Sequence, residues 1–154
     1  MTGRAMTIRI TTVCLGNICR SPIAAAVLAA ELSDLDVQVD SCGTGGWHVG
    51  QGADPRAVAA LGRAGYDLEH SARQADAEML AGSDLVLAMD AANLRDLRAM
   101  GVDAVLLRSF DPHADGHEVP DPYYGSSADF DEVVAMVRAA APGIRQRVQE
   151  TDSL

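Results

Sequence analysis

The residue types best suited to chemistry lie in one stretch, Val13–Pro22, with the sequence VCLGNICRSP. It follows a segment rich in β-branched residues and precedes an alanine-rich one, a pattern typical of a strand, a tight loop and a helix. At such a junction free backbone N–H groups and the positive end of the helix dipole attract anions. Arg20 could hold two oxygens of a tetrahedral anion as a planar fork. The expected binding loop for phosphate and other oxyanions comprises Cys14, Leu15, Gly16, Asn17, Ile18, Cys19, Arg20 and Ser21.

Cys14 is the predicted nucleophile of this loop. Its sulfur would lie beneath the phosphorus of a bound phosphoryl group, in a positive field that favours the thiolate over the thiol. A thiolate in that position could attack phosphorus and take the phosphoryl group. The simpler alternative is a glycine-containing turn whose cysteine is buried for packing.

Length and charge limit the classes of partner. The chain has 154 residues, a net charge of -10 and no lysine. Its length predicts one domain over residues 1–154, with a loose tail at residues 1–6. An acidic surface argues against nucleic acid and anionic membranes as partners, because both would repel it. We expect a monomer, with weak dimerisation as the alternative.

The number of cysteines indicates the cellular compartment of the protein. There are three, Cys14, Cys19 and Cys42, and an odd number without a disulfide framework indicates a reducing compartment. No run approaches the roughly 18 apolar residues of a membrane span. Residues 1–9 lack the apolar core of a signal peptide. The predicted location is the cytoplasm, with export without a signal peptide as the alternative.

The hydrophobic pattern predicts strands that alternate with helices. The predicted strands are 7–13, 37–41, 84–89 and 104–107, and the predicted helices are 21–33, 54–64, 76–80, 90–100 and 130–150. Residues 109–128 form a long polar loop of a kind that is usually functional or mobile, and Pro142-Gly143 is expected to kink or interrupt the last helix. The predicted fold class is α/β: a three-layer sandwich with a parallel sheet in the order 2-1-3-4 and helices on both faces. Ligands of such sheets bind at the carboxyl ends of the strands, where the Cys14 loop would lie.

The motif C-L-G-N-I-C-R-S-P resembles the signature loop of the low-molecular-weight protein tyrosine phosphatases. The likeness continues along nearly the whole chain, in Asp40-Ser41, Gly43-Thr44, Trp47, Ala53-Asp54-Pro55-Arg56-Ala57, His70-Ser71-Ala72-Arg73-Gln74, Met89-Asp90, Asn93-Leu94-Arg95-Asp96-Leu97 and Asp121-Pro122-Tyr123-Tyr124-Gly125. The resemblance implies hydrolysis of phosphotyrosine and aryl phosphate monoesters through a cysteinyl-phosphate, without a cofactor or a metal. It also implies a phosphotyrosine-containing protein as the substrate.

The resemblance implies a role for each important loop residue. Cys14 forms the cysteinyl-phosphate, and Arg20 binds the equatorial oxygens through the transition state. Ser21 forms a hydrogen bond with the sulfur, and Gly16 lets the backbone approach the oxygens.

Asn17 is implied to support the loop. Its backbone is expected to be left-handed or strained, and its implied partners are Ser41 and His70. Without the resemblance, Ser41 would be interpreted as a strand-end hydroxyl and His70 as an ordinary loop histidine.

A phenolate leaves readily only if an acid protonates it, so a carboxylic acid is needed on the side of phosphorus opposite the sulfur. Three Asp-Pro pairs are candidates: Asp54-Pro55, Asp111-Pro112 and Asp121-Pro122. Chemistry alone does not choose among them, although the first is expected to start a helix. The resemblance selects Asp121 as the general acid of the first step and the base of the second.

Aromatic residues are scarce, so the adjacent pair Tyr123-Tyr124 is informative. Aromatic walls suit an aromatic substrate, and we expect Trp47, Tyr123 and Tyr124 to line the cleft. The alternative for Tyr124 is core packing under the loop.

The remaining cysteines have separate interpretations. The resemblance favours Cys19 as a resolving thiol that traps oxidised Cys14 as a disulfide, and the alternative is a small buried hydrophobe. Strand alternation places Cys42 on the side away from the loop, where it would serve packing. A metal site at His113 and His117 is the alternative to solvated side chains, and we expect solvated side chains and no metal.

Two other functions compete with the phosphatase. An arsenate reductase of the thioredoxin-linked type shares this fold and loop, but it needs two further cysteines downstream, and this chain has none after Cys42. A non-catalytic phosphate- or phosphotyrosine-binding module is the alternative from another class. Rapid release of p-nitrophenol from its phosphate would exclude that module.

Overall fold

The computed structural model describes residues 7–152, so the predicted tail at residues 1–6 lies outside the described part. The strands are β1 (Ile8–Cys14), β2 (Val37–Gly43), β3 (Leu85–Ala88) and β4 (Val105–Leu106). They form one parallel sheet in the order β2-β1-β3-β4, which confirms the predicted order. Cys14 pairs with Gly43, so the last residues of β1 and β2 lie side by side at the carboxyl edge.

Five α-helices cover the sheet in the part of the chain that the structure describes. They are α1 (Arg20–Glu31), α2 (Pro55–Ala64), α3 (Ala77–Ala81), α4 (Ala91–Ala99) and α5 (Ser127–Asp152). The aspartates predicted to start α2 and α4, Asp54 and Asp90, accept hydrogen bonds from backbone N–H groups in the first turns. A carboxylate at the N-cap satisfies a donor that the helix leaves unpaired.

Both faces of the sheet are buried. In β3, Leu85 and Leu87 enter the larger core, whereas Val86 and Ala88 enter a smaller core on the other face. Helices α1, α2 and α5 contribute to the larger core, and α3 and α4 contribute to the smaller one. The near-continuous apolar run of β3 therefore indicated a doubly covered strand correctly.

The interruption that was one of the two outcomes expected at Pro142-Gly143 does not occur. Helix α5 continues through Pro142 without interruption, although an interior proline costs about 3 kcal/mol of helix stability. Ile144, just beyond the proline, is fully buried. A Cβ on Gly143 would come within 2.1 Å of the Phe110 carbonyl, so the helix packs tightly there. Tertiary packing therefore holds the helix together through the proline.

The fourth strand is shorter than predicted. Of the predicted strand 104–107, only Val105–Leu106 pairs with β3, and residues 107–110 form a single 3₁₀ turn. The long segment beyond this turn runs to the start of α5 at Ser127 and passes the carboxyl edge of the sheet. No helix within residues 7–152 is long and apolar enough to span a bilayer.

Candidate active site

The loop between β1 and α1 turns its carbonyl groups away from the cleft. The carbonyls of Cys14 and Leu15 accept from the N–H groups of Thr44-Gly45, at 2.9 and 2.8 Å, and the Ile18 carbonyl accepts from the N–H of Asp54 at 2.8 Å. The C=O and N–H of a trans peptide point in opposite directions, so the N–H groups that follow these carbonyls point into the loop. No side chain among residues 7–152 caps α1. Its first amides are therefore also available to an anion.

Cys14 lies at the bottom of the loop with a hydroxyl beside its sulfur. Its Sγ is 2.9 Å from Oγ of Ser21, and that Oγ accepts a hydrogen bond from Nδ2 of Asn17 at 2.8 Å. The serine hydrogen is therefore available to the sulfur, because its other acceptor, the Cys42 carbonyl, is more distant at 3.3 Å. A hydrogen bond donated to the ionised form stabilises it. The Ser21 hydroxyl is thus placed to donate to the Cys14 sulfur.

Asn17 connects the loop to the strands behind it. Its φ is +56°, a left-handed backbone that asparagine tolerates better than most residues. Its Nδ2 donates to Oγ of Ser41 at 2.9 Å, and its Oδ1 accepts from the N–H of Arg73 at 2.9 Å. Its carbonyl accepts from Nε2 of His70 at 2.6 Å. Ser41 and His70 therefore both contact Asn17, as the resemblance implied.

The tautomer of His70 follows from its partner. A carbonyl oxygen only accepts, so Nε2 carries the proton and donates to Asn17. Burial, more than the nearby charge of Arg73, lowers the pKa of His70. The ring is therefore neutral at neutral pH and holds Asn17 through a neutral hydrogen bond.

Arg20 is held from two sides. Its side chain is 3% exposed, and its Nη1 donates to Oδ2 of Asp90 at 2.7 Å and to the Val119 carbonyl at 3.0 Å. Its Nη2 lies 3.9 Å from Oδ2 of Asp121. Asp90 also caps α4, because its Oδ1 accepts from the N–H of Asn93. One carboxylate thus both starts a helix and orients the guanidinium.

The three Asp-Pro pairs differ in their surroundings. Asp54 accepts several hydrogen bonds from Arg56, which lower its pKa and keep it ionised. Asp111 accepts from the N–H of His113 and does not line the cleft. Asp121 does line the cleft, with its side chain 46% exposed. Among these pairs, only Asp121 lines the cleft above Cys14.

A cleft of about 230 Å³ opens above the loop. Its side walls are Leu15, Ile18, Trp47, His48, Tyr123 and Tyr124. The rings of Tyr123 and Tyr124 meet edge to face, with centroids 4.9 Å apart. Tyr124 is 95% exposed, so the alternative that it packs in the core is wrong. Trp47 is also exposed.

Arg56 anchors the segment that carries Asp121. Its Nη2 donates to the Tyr123 carbonyl at 2.9 Å, and its guanidinium carbon lies 4.6 Å from the centre of the Phe130 ring. This contact fixes the far side of the segment to α2, because Arg56 belongs to that helix.

The other two cysteines are buried thiols. Cys19 lines the cleft with Cys14, and burial, with the charge of Asp54 as a smaller cause, raises its pKa to about 12. Cys42 lies in the smaller core with Val13, on the face that strand alternation predicted. Burial raises its pKa to about 12 as well.

His113 and His117 are both exposed, as expected. Within residues 7–152, no group of three or more histidine, cysteine, aspartate or glutamate side chains is arranged to hold a metal ion.

The doubly covered parallel sheet and the anion loop with a cysteine and an arginine define a class of phosphate-binding α/β proteins. Residues 9–154 match the model of the family described as low molecular weight phosphotyrosine protein phosphatase. A low molecular weight protein-tyrosine-phosphatase of Streptomyces coelicolor is 48% identical over an alignment of 157 positions, gaps included. This alignment covers 94% of this chain and 96% of the relative. The chain belongs to the low molecular weight phosphotyrosine protein phosphatase family, a family of hydrolases.

Solved structures agree with this assignment. A protein tyrosine phosphatase from Entamoeba histolytica has a TM-score of 0.89 at 29% identity, covering 94% of this chain and 98% of that one. A drosophila arginine phosphatase has a TM-score of 0.86 at 26% identity, covering 92% and 98%. The fold is therefore shared by proteins whose names give different phosphorylated substrates.

Sequence reasoning missed three supports of the site: Asp90, Arg73 and Gly43. Asp90 had a sufficient explanation as a helix cap, and Arg73 acts on Asn17 through its backbone N–H, which no side-chain pattern reveals. A Cβ on Gly43 would lie 2.6 Å from the Leu15 carbonyl, so only glycine lets β2 end against the loop. Its place in the Gly43-Thr44 pair of the family resemblance was the available signal.

Proposed function

We propose that the protein hydrolyses phosphotyrosine monoesters in proteins, and small aryl phosphates, in two steps. In the first step the Cys14 thiolate attacks phosphorus, and the departing phenolate takes a proton from Asp121. In the second step Asp121 removes a proton from water, which attacks the cysteinyl-phosphate, releases phosphate and restores the thiolate. The loop amides and Arg20 stabilise the charge on the three equatorial oxygens in both steps.

The observation that carries this proposal is the convergence of Cys14, Arg20 and Asp121 on one cleft. The thiol is at the bottom, with a serine hydroxyl 2.9 Å from its sulfur. The carboxyl is at the wall, beside the guanidinium and close to the aromatic side chains. A phosphorylated phenol placed with phosphorus over the sulfur would thus have its leaving oxygen on the side where the acid lies.

The depth of the cleft favours phosphotyrosine over phosphoserine. Cys14 is 3% exposed at the bottom, whereas Tyr124 at the rim is 95% exposed. A tyrosyl arm can place its phosphoryl group on the loop while the peptide backbone stays at the rim. A seryl arm is shorter by the length of a phenyl ring, so its backbone would have to enter the cleft.

A peptide panel tests this function. One sequence carrying phosphotyrosine, phosphoserine or phosphoarginine at the same position is incubated with the protein, and released phosphate is measured. We expect kcat/KM to be larger for phosphotyrosine by roughly 10²-fold or more, because a misplaced phosphoryl group loses that much reactivity. Equal rates on phosphoserine would contradict the proposal. Faster release from phosphoarginine would instead favour the activity named for the drosophila relative.

We also propose that Cys19 protects Cys14 during oxidation. Peroxide converts the Cys14 thiolate to a sulfenic acid and releases hydroxide. The Cys19 thiolate then attacks that sulfur, forms the S–S bond and displaces a second hydroxide. Both side chains line the same cleft, which supports this pairing.

The pH dependence of this trapping step follows from Cys19. Because the pKa of Cys19 is about 12, its thiolate fraction rises roughly tenfold per pH unit across the neutral range. We expect disulfide formation from pre-formed sulfenic acid to accelerate as pH rises, measured by mass spectrometry of quenched samples. Cys42→Ala should leave the crosslink unchanged, whereas Cys19→Ser should make the inactivation irreversible. A trapping rate that is independent of pH, or a crosslink to Cys42, would contradict the assignment.

We propose in addition that residues 1–154 act as one domain and as a monomer in the cytoplasm. The three unpaired thiols support a reducing compartment, because a thiolate nucleophile acts only in its reduced form.

A further inference from the structure

Arg108 is a buried charge that the proposed catalytic steps do not use. It lies in the 3₁₀ turn Leu107–Phe110 and is 9% exposed. Its Nη1 donates to the Glu118 carbonyl at 2.8 Å, and its Nη2 donates to Oδ1 of Asp115 at 2.7 Å. Its buried Nε has no partner in the described part of the chain.

Stability does not explain this arrangement. The carboxylate partner, Asp115, is 94% exposed, and ion pairs with exposed groups contribute about 0–1 kcal/mol. Burying a guanidinium with one donor unsatisfied has an opposing cost. The more informative contact of Arg108 is therefore the one to the Glu118 carbonyl, which fixes a point of the backbone.

That point belongs to a short anchored segment, Glu118-Val119. The Val119 N–H donates to the Met89 carbonyl at 2.7 Å, and the Val119 carbonyl accepts from Arg20 at 3.0 Å. Oε2 of Glu118 accepts from the N–H of Ala91 at 2.8 Å. Ala91 directly follows Asp90, the carboxylate that orients Arg20. The anchored segment thus connects Arg108 to the phosphate-binding loop.

The connection to Asp121 is stiff. Only Pro120 separates Val119 from Asp121, and Pro122 follows directly. Proline fixes its own φ and restricts the residue before it, so a shift at Val119 is passed on to the Asp121 carboxyl. On the far side Arg56 holds the Tyr123 carbonyl at 2.9 Å.

We propose that Arg108 is a positioning residue for the general acid. It holds the Glu118 carbonyl so that Asp121 reaches the leaving oxygen of a substrate bound above the loop. This inference rests on the proposed function, since it requires Asp121 to be the acid.

The test compares Arg108→Met with a matched control, Arg145→Met. Arg145 also binds one carbonyl and one carboxylate, those of Glu31 and Asp34, but it lies on α5 away from the cleft. We expect Arg108→Met to lower kcat/KM for phenyl phosphate on the order of tenfold, because a small displacement of a catalytic group has a large effect. This ratio reports the first step, in which the phenol leaves. With p-nitrophenyl phosphate, whose leaving group needs less protonation, the loss of kcat/KM should be much smaller. The control should retain the kcat/KM of the parent on both substrates.

A double variant distinguishes positioning from a general loss of stability. If Arg108 acts through Asp121, Arg108→Met should cause no further loss on phenyl phosphate in an Asp121→Ala background. A further loss of kcat/KM in that background, or equal losses of kcat/KM for both leaving groups, would overturn the inference. Should Arg108→Met fail to fold, Arg108→Lys serves instead. A single ammonium keeps the charge but not the two-pronged contact, and a smaller loss confined to phenyl phosphate is expected.

Failure of the inference is distinguishable from failure of the proposed function. If Asp121→Ala alone does not slow phenyl phosphate selectively, the acid has been assigned wrongly. If that variant behaves as expected but Arg108→Met matches the Arg145 control, only the role of Arg108 is refuted.

Discussion

Cys14→Ser is expected to abolish turnover of p-nitrophenyl phosphate, on the order of 10⁴-fold or more, because a serine hydroxyl at this position has no base to ionise it. Binding of inorganic phosphate should persist, since the loop amides and Arg20 remain. It should even tighten, because the anion no longer meets a negatively charged sulfur. Steady-state kinetics and isothermal titration with phosphate measure the two effects.

The control for this variant is Cys42→Ala. Cys42 is fully buried in the smaller core, on the opposite face of the sheet, so its removal tests the loss of a cysteine without touching the cleft. This variant should keep its kcat while losing some stability through the small cavity. Substantial turnover by Cys14→Ser would mean that another group attacks phosphorus.

Asp121→Ala should slow the first step most for substrates whose phenol is a poor leaving group. For phenyl phosphate we expect kcat to fall roughly 10²–10⁴-fold, the usual contribution of a general acid. For p-nitrophenyl phosphate the loss in the first step should be far smaller, because its phenolate leaves without a proton. A burst of p-nitrophenol followed by slow turnover is then expected, since the second step also needs Asp121 to activate water.

Asp111→Ala is the matched control. Asp111 also precedes a proline, and its Oδ1 accepts from the N–H two residues later, as that of Asp121 does. It does not line the cleft. Its loss should therefore leave the dependence on leaving group unchanged. If Asp121→Ala lowered the rate of the first step equally for the two substrates, a group other than Asp121 would be the general acid.

The layout of the fold could be predicted from the sequence because local signals agreed with one another. The apolar run of β3, the aspartates at the helix starts and Gly65, which ends α2 with φ +90°, each act within a few residues. The uninterrupted α5 could not be predicted in this way. What stabilises it at Pro142 is packing of distant residues, which a local pattern does not contain.

The residues of the candidate site differ in the same way: some belong to a local motif, and others meet only in the folded chain. Cys14, Arg20 and Ser21 lie in one contiguous motif, so their types and spacing were sufficient to predict an anion loop. Asp121 needed the family resemblance, because three Asp-Pro pairs looked alike. The contact of Asp90 with Arg20 joins residues 70 positions apart, and only the folded chain brings them together.

Trapping the cysteinyl-phosphate tests the proposed mechanism at its first step. The protein is mixed with an aryl phosphate, denatured within the first turnover and digested, and the peptides are analysed by mass spectrometry. We expect one phosphoryl group on the sulfur of Cys14, formed as fast as phenol is released. Phenol release with an unmodified Cys14 peptide, or with the phosphoryl group on another residue, would contradict the proposed mechanism.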